Sequence, residues 1–150
     1  MIGNLNANQI ESVLLNNVIG RIGCYANDRV YVVPVTYAYD GSFIIGHTAE
    51  GLKIRMLRDN PACCFEVDQA DNMSNWQSVI SWGTFEELQG EEAEKAMKLF
   101  IDRLMPLVMS ETSLPKNGMS HTHKTDSHDV QPVIYRIRLQ EKTGRFEKRS

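Results

Sequence analysis

The run Arg29-Val30-Tyr31-Val32-Val33-Pro34-Val35-Thr36-Tyr37-Ala38-Tyr39-Asp40-Gly41-Ser42-Phe43-Ile44-Ile45-Gly46-His47 decides the fold of this chain. From Val30 to Tyr39 it is almost all β-branched or aromatic, the composition that suits a pleated, half-buried surface. Pro34 interrupts it. Proline has no N–H for a ladder, so this position predicts an edge strand, a bulge, or a place where something other than a strand lies alongside. Asp40-Gly41 is a tight-turn signal. Ser42 to His47 then reads as the return strand of a hairpin.

Working outward, residues 8–17 predict a short helix. Ile10, Val13, Leu14 and Asn17 fall on one face, and Asn8 with Glu11 resembles a capping box. Val18 to Tyr25 predicts a strand, in which Gly20 and Gly23 point to a bulge or a close backbone approach. After the hairpin, residues 49–60 predict a helix striped by Leu52, Met56 and Leu57 and stopped at Asn60-Pro61. Ala62 to Val67 reads as a strand, Asp68 to Asn75 as a long polar turn, and Trp76 to Leu88 as a β region interrupted at Gly83. Residues 90–109 form the longest helical pattern. Its acidic first turn suits the helix dipole, and its apolar face runs through Ala93, Ala96, Met97, Phe100, Ile101, Leu104 and Leu107, with Pro106 bending or ending it. Ser110 to Asp129 reads as a long loop, Gln131 to Gln140 as a strand and Glu141 to Ser150 as a charged tail. Hairpins prevail over βαβ units, so the expectation is a mainly β fold: a mostly antiparallel barrel with flanking helices, one domain over residues 1–150.

Bulk properties narrow the function. A length of 150 residues suits one domain with a real core. A net charge of −3 argues against a nucleic-acid module, whose affinity rests on clustered Lys and Arg. No apolar run approaches a membrane span, and the N-terminal residues lack the basic start and apolar stretch of a secretory signal, so a cytoplasmic protein is expected. Cys24, Cys63 and Cys64 are an odd set without repeated spacing, which predicts buried free thiols.

Chemistry concentrates in two places. In His47-Thr48-Ala49-Glu50-Gly51-Leu52-Lys53 a strand ends and a helix begins. Thr48 can cap that helix, Gly51 permits close approach, and Lys53 adds positive charge one turn in. Such a start is either an ordinary capped helix with a solvated lysine or an anion site matched to phosphate. Around Pro34, free N–H and C=O groups of Val33 to Tyr37 belong either to a plain edge strand or to a surface that meets a flat heterocycle. His121, His123 and His128 offer a His-x-His spacing without supporting Cys or paired carboxylates, so no metal is expected. No nucleophile elbow, P-loop or dinucleotide glycine pattern is present.

Taken in order, the string from Tyr31 through Pro34, Gly41 and His47 to Lys53, then Asn60-Pro61, then Trp76-Gln77-Ser78-Val79-Ile80, resembles the pyridoxamine 5'-phosphate oxidase-like FMN-binding split-barrel proteins. It is most similar to the branch of flavin-nucleotide-binding and nitroimidazole-resistance proteins. The resemblance spans residues 10–105 and implies a six-stranded antiparallel split β-barrel, a homodimer, and FMN at the subunit interface. By position, it implies that Val33, Pro34, Val35 and Thr36 lie along the isoalloxazine. Thr48 and Lys53 would hold the phosphate. His47 would sit near the ring or the substrate and is the one candidate acid or base, its ordinary pKa lying near neutrality. Gln77 and Ser78 would contact the flavin, with Trp76 flanking it. Thr143-Gly144-Arg145-Phe146-Glu147 does not reproduce the C-terminal basic and aromatic pattern by which the oxidase reads its substrate. The resemblance therefore implies an FMN-dependent oxidoreductase acting on another small molecule, nitro compounds or quinones being candidates. The alternative is a non-catalytic protein that binds, stores or senses flavin or haem.

Overall fold

The computed structural model describes residues 1–110 and 132–149. The elements run β1 (Ile2–Asn4), α1 (Ala7–Asn16), β2 (Ile19–Ala26), β3 (Arg29–Thr36), β4 (Ala38–Tyr39), β5 (Phe43–Thr48), α2 (Leu52–Asp59), β6 (Ala62–Asn72), β7 (Asn75–Glu87), α3 (Gly90–Ser110) and β8 (Val133–Glu147). The expected loop with His121, His123 and His128 lies outside the described residues.

All strand pairs are antiparallel, in the order β3-β2-β6-β7-β8-β5-β4, with β1 paired to β8. β3 and β4 end the sheet and do not pair with each other, so the barrel is split. Six long strands carry it, as expected, and the short β1 and β4 bring the total among the described residues to eight. Asn27 (φ 52°) and Asp28 (φ 61°) form the two-residue turn between β2 and β3, whose backbone twist matches that of the strands. Asp40 closes the β4–β5 hairpin by accepting the N–H groups of Ser42 and Phe43 on Oδ1.

Pro34 is answered by position: among the described residues β3 is an edge strand, paired only with β2. The register says more. The Tyr37 N–H donates to the Val18 carbonyl at 2.9 Å, which makes that couple a hydrogen-bonded pair. Antiparallel pairs alternate. Tyr31, Val33 and Val35 therefore spend their N–H and C=O on β2, while Val32, Pro34 and Thr36 turn theirs to the open edge. The side chains alternate too. Tyr31, Val33 and Val35 face the core, and Val30, Val32, Pro34 and Thr36 face away from it.

Between β3 and β4 the chain turns inward at Tyr37, which is fully buried. Its hydroxyl donates to the Leu14 carbonyl at 2.7 Å, and its ring meets Phe65 edge-on at 4.9 Å. The main core is enclosed by the sheet with Ile10, Val13 and Leu14 of α1 and Ile54, Met56 and Leu57 of α2. A second cluster seats Ala93, Ala96 and Phe100 of α3 against Ala38 and Ile45 on the outer side of β4 and β5.

Several expectations are corrected. The capping box of α1 is Asn6 with Gln9, not Asn8 with Glu11. Asn17 sits at the C-cap and donates to the Val13 carbonyl. Gly20 and Gly23 mark close approach rather than a bulge: β2 keeps its register, and a Cβ at Gly20 would collide with the Phe65 ring. Asp68 to Asn72 continues β6 instead of forming a turn, because β7 runs beside it as an exposed hairpin arm. β8 likewise continues through Glu147 along β7, so there is no separate charged tail before that point. Pro106 lies inside α3, and Ile101 and Leu107 are 46% and 38% exposed, off the buried face. The interruption at Gly83 is a register shift after Trp82, where a Cβ would strike the Arg138 carbonyl. Cys24 and Cys63 are buried free thiols and Cys64 is half-buried.

Candidate functional site

The turn from β5 into α2 gathers charge and free donors. Thr48 is not the helix cap. It is the last residue of β5, and the cap is Gly51, which offers no side chain to the first-turn N–H groups. Those N–H groups therefore keep their affinity for an outside acceptor. The Thr48 hydroxyl instead accepts a hydrogen bond from Lys53 Nζ at 3.2 Å. Lys53 is half-buried, and that burial pushes its pKa down, with the nearby Cys24 thiol opposing the shift. Cys24 lies opposite Tyr31 of β3. The ammonium thus lies near the Cys24 stretch of β2, the strand that pairs with β3.

The remaining candidates divide. Val33 and Val35 are anchored inward with their backbone groups committed to β2, so the free edge groups come from their neighbours. His47 stands on the face of β5 opposite Thr48. Its ring meets Phe100 of α3 at 5.5 Å with a 61° interplanar angle, and partial burial lowers its pKa. Ser78 pairs with Asp68, and Trp76 donates its indole N–H to Glu147 Oε2 at 3.1 Å. Gln77, with Trp76, Leu5, Gln9, Gln69 and Phe146, lines an open cavity of about 440 Å³. β8 pairs with Thr48 at Val133 and with Trp76 at Glu147, so these two groups sit at opposite ends of one strand. One chain brings Thr48 and Lys53 together; it does not bring them to Trp76 and Gln77.

A further set escaped the sequence reading. Arg58 on α2 holds Glu50 of the turn and Glu87 of β7. Nothing local announces this trio, because Glu87 is 29 residues from Arg58 along the chain. Among the described residues no group of three or more His, Cys, Asp or Glu side chains is placed to hold a metal, and no helix is long and apolar enough to cross a membrane.

Comparison with known proteins fits this architecture. An uncharacterised protein of Rhizobium meliloti (strain 1021) is 27% identical over 84 residues, which are 56% of this chain and 56% of that protein. A FAD-binding protein from Mesorhizobium loti matches in structure with a TM-score of 0.77 and 26% identity, over 99% of this chain and 98% of that one. A structure assigned to 5-nitroimidazole antibiotic resistance, from Bacteroides thetaiotaomicron, matches with a TM-score of 0.71 and 17% identity, over 97% and 87%. The FAD and heme binding protein of Mycobacterium smegmatis matches with a TM-score of 0.70 and 11% identity, over 97% and 74%, a likeness of fold. A family model described as pyridoxamine 5'-phosphate oxidase matches residues 6–146, and the chain belongs to that family.

Proposed function

We propose that this protein is a homodimeric flavoprotein that holds FMN at its subunit interface and works as a flavin-dependent oxidoreductase on a small acceptor, such as a nitro compound or a quinone. The observation that carries the reading is the Lys53–Thr48 pair at a helix start without a side-chain cap; the open, proline-bearing edge of β3 supports it. A phosphate monoester fits there: it would take the Lys53 ammonium, the Thr48 hydroxyl and the first N–H groups of α2. The Pro34 carbonyl and the free backbone groups of Val32 and Thr36 would meet the polar rim of the isoalloxazine. The whole-chain likeness to a FAD-binding protein supports a flavin in general. The choice of FMN rests on the phosphate fit.

Bound flavin would supply the hydride or electron chemistry, and the chain's own residues would bind it, orient it and limit water. A homodimer would complete the same site, since Trp76, Gln77 and Ser78 would reach a flavin from the partner subunit more readily than from their own. His47 remains the candidate acid or base, with an imidazole kept neutral near pH 7 by its lowered pKa.

The purified protein should be yellow and take up FMN stoichiometrically, and Lys53→Ala should weaken FMN far more than riboflavin. Equal affinities of the Lys53→Ala and parent proteins for FMN would remove the phosphate placement. Anaerobic NAD(P)H should bleach the bound flavin, and a nitro- or quinone-type acceptor should restore it. Flavin that binds but resists every reductant would leave a binding protein rather than an oxidoreductase.

A further inference from the structure

Glu50 is out of place in an anion site. It lies two residues after Thr48 and three before Lys53, and a free carboxylate there would repel a phosphate dianion. Arg58 answers it. Its Nη1 and Nη2 donate to the two Glu50 carboxylate oxygens at 2.9 and 2.6 Å, a bidentate fork, while its Nε donates to Glu87 at the end of β7. The turn has no side-chain cap to fix it, so this clamp and the Lys53–Thr48 bond are its side-chain ties. Both partners are well exposed, at 42% for Arg58 and 48% for Glu50. A pair so exposed adds little stability. Its effect is on geometry and on the local field.

We propose that Arg58 is a positioning residue for the phosphate turn: it draws Glu50 toward β7 and offsets its charge, leaving the Thr48–Lys53 side cationic toward a phosphate monoester. The inference rests on the flavin-phosphate reading of the same turn. Neither Glu50 nor Arg58 needs to touch the ligand.

The test titrates FMN and riboflavin, which lacks the phosphate, into the parent protein and into Arg58→Ala, Arg58→Ala/Glu50→Gln, Arg58→Lys and Lys53→Ala, at low salt. Arg58→Ala should weaken FMN by about tenfold, the effect of one uncancelled charge close to a dianion, and leave riboflavin unchanged. Adding Glu50→Gln should restore FMN affinity, and Arg58→Lys, which keeps the charge without the fork, should fall between. The Arg58→Ala loss should shrink as salt rises. Thermal unfolding of each apo variant checks folding independently of the ligand. Parent-like FMN affinity in Arg58→Ala, equal loss of FMN and riboflavin, or failure of Glu50→Gln to rescue would each overturn the role of Arg58. If Lys53→Ala still loses FMN selectively, only this inference falls. If the parent protein takes up no FMN, or Lys53→Ala does not discriminate, the phosphate reading falls and takes the inference with it.

Discussion

His47 meets Phe100 edge-on and is partly exposed, a position that couples its protonation to folding. Burial lowers its pKa from the ordinary 6.5, so the charged ring is disfavoured in the folded state. Between the lowered value and 6.5 the unfolded chain binds more protons than the folded one, and stability rises with pH across that window. Below it both states are protonated and the penalty is complete. Urea midpoints of the parent should therefore drop more between pH 7.5 and 5 than those of His47→Gln. Parallel drops would show that the ring is as well solvated folded as unfolded. Ser81 poses the opposite case: a fully buried hydroxyl whose Oγ has no hydrogen-bond partner among the described residues. An unpaired buried donor costs roughly 1–3 kcal/mol, whereas the lost methyl-sized volume is small. Ser81→Ala should unfold at the same or a higher urea concentration. A clear loss of stability would mean that the hydroxyl contributes a bond.

At the scale of elements, the crossing from β3 to β4 hangs on Tyr37. Its hydroxyl takes up the Leu14 carbonyl near the end of α1, where helix carbonyls lack intrahelical partners. Tyr37→Phe keeps the ring against Phe65 and deletes only that bond. It should cost about 1–3 kcal/mol in urea unfolding, since the carbonyl is left buried and unpaired. Retained stability would place another donor on Leu14. The elements that could be read from the sequence are those whose cause is local. Pro34 announces an edge because the missing N–H belongs to that residue, and the buried stripe of α1 shows in its spacing, whereas α2 buries Ile54, which the expected stripe of Leu52, Met56 and Leu57 leaves out. The misread parts depend on distant partners. Asp68 to Asn72 and Glu141 to Glu147 are polar and lack apolar alternation, yet they are strands because β7 lies alongside both. The site divides in the same way. Lys53 could be located from the turn alone, but Thr48 proved a lysine acceptor rather than a cap, and the Glu50–Arg58–Glu87 clamp joins segments that no local pattern connects.

For the whole molecule the open question is what covers the outer face of β3, β2, β6 and β7. α3 packs outside β4 and β5 and reaches this other flank only near Arg21 and Asp68, through Arg103 and Leu107, so the rest of the flank is uncovered among the described residues. Val32, Gly23, Cys64 and Trp82 form one row across it, with Pro34, Arg21, Glu66 and Ile80 in the next. Val30 is 72% exposed, Val32 61% and Trp82 42%, a contiguous apolar surface of the sort that marks an interaction site. Arg21, bridged to Glu66 and Asp68, supplies a polar border. The uncovered flank continues to Ser78, and Thr36 of the open β3 edge faces it, so a second copy seated here would bury apolar surface and, on the proposed reading, complete both flavin sites. A stable interface of this kind buries roughly 800 Å² per partner. Light scattering should give a dimer for the parent. Trp82→Lys combined with Val32→Lys should give a monomer; lysine suits position 82 because Glu141 lies opposite and a glutamate there would add like-charge repulsion. The monomer should keep its far-ultraviolet circular dichroism and bind FMN more weakly, because each site would lose the partner's half. A double variant that remains dimeric moves the interface to another face. A folded monomer with parent-like FMN affinity would confine the flavin to a single chain.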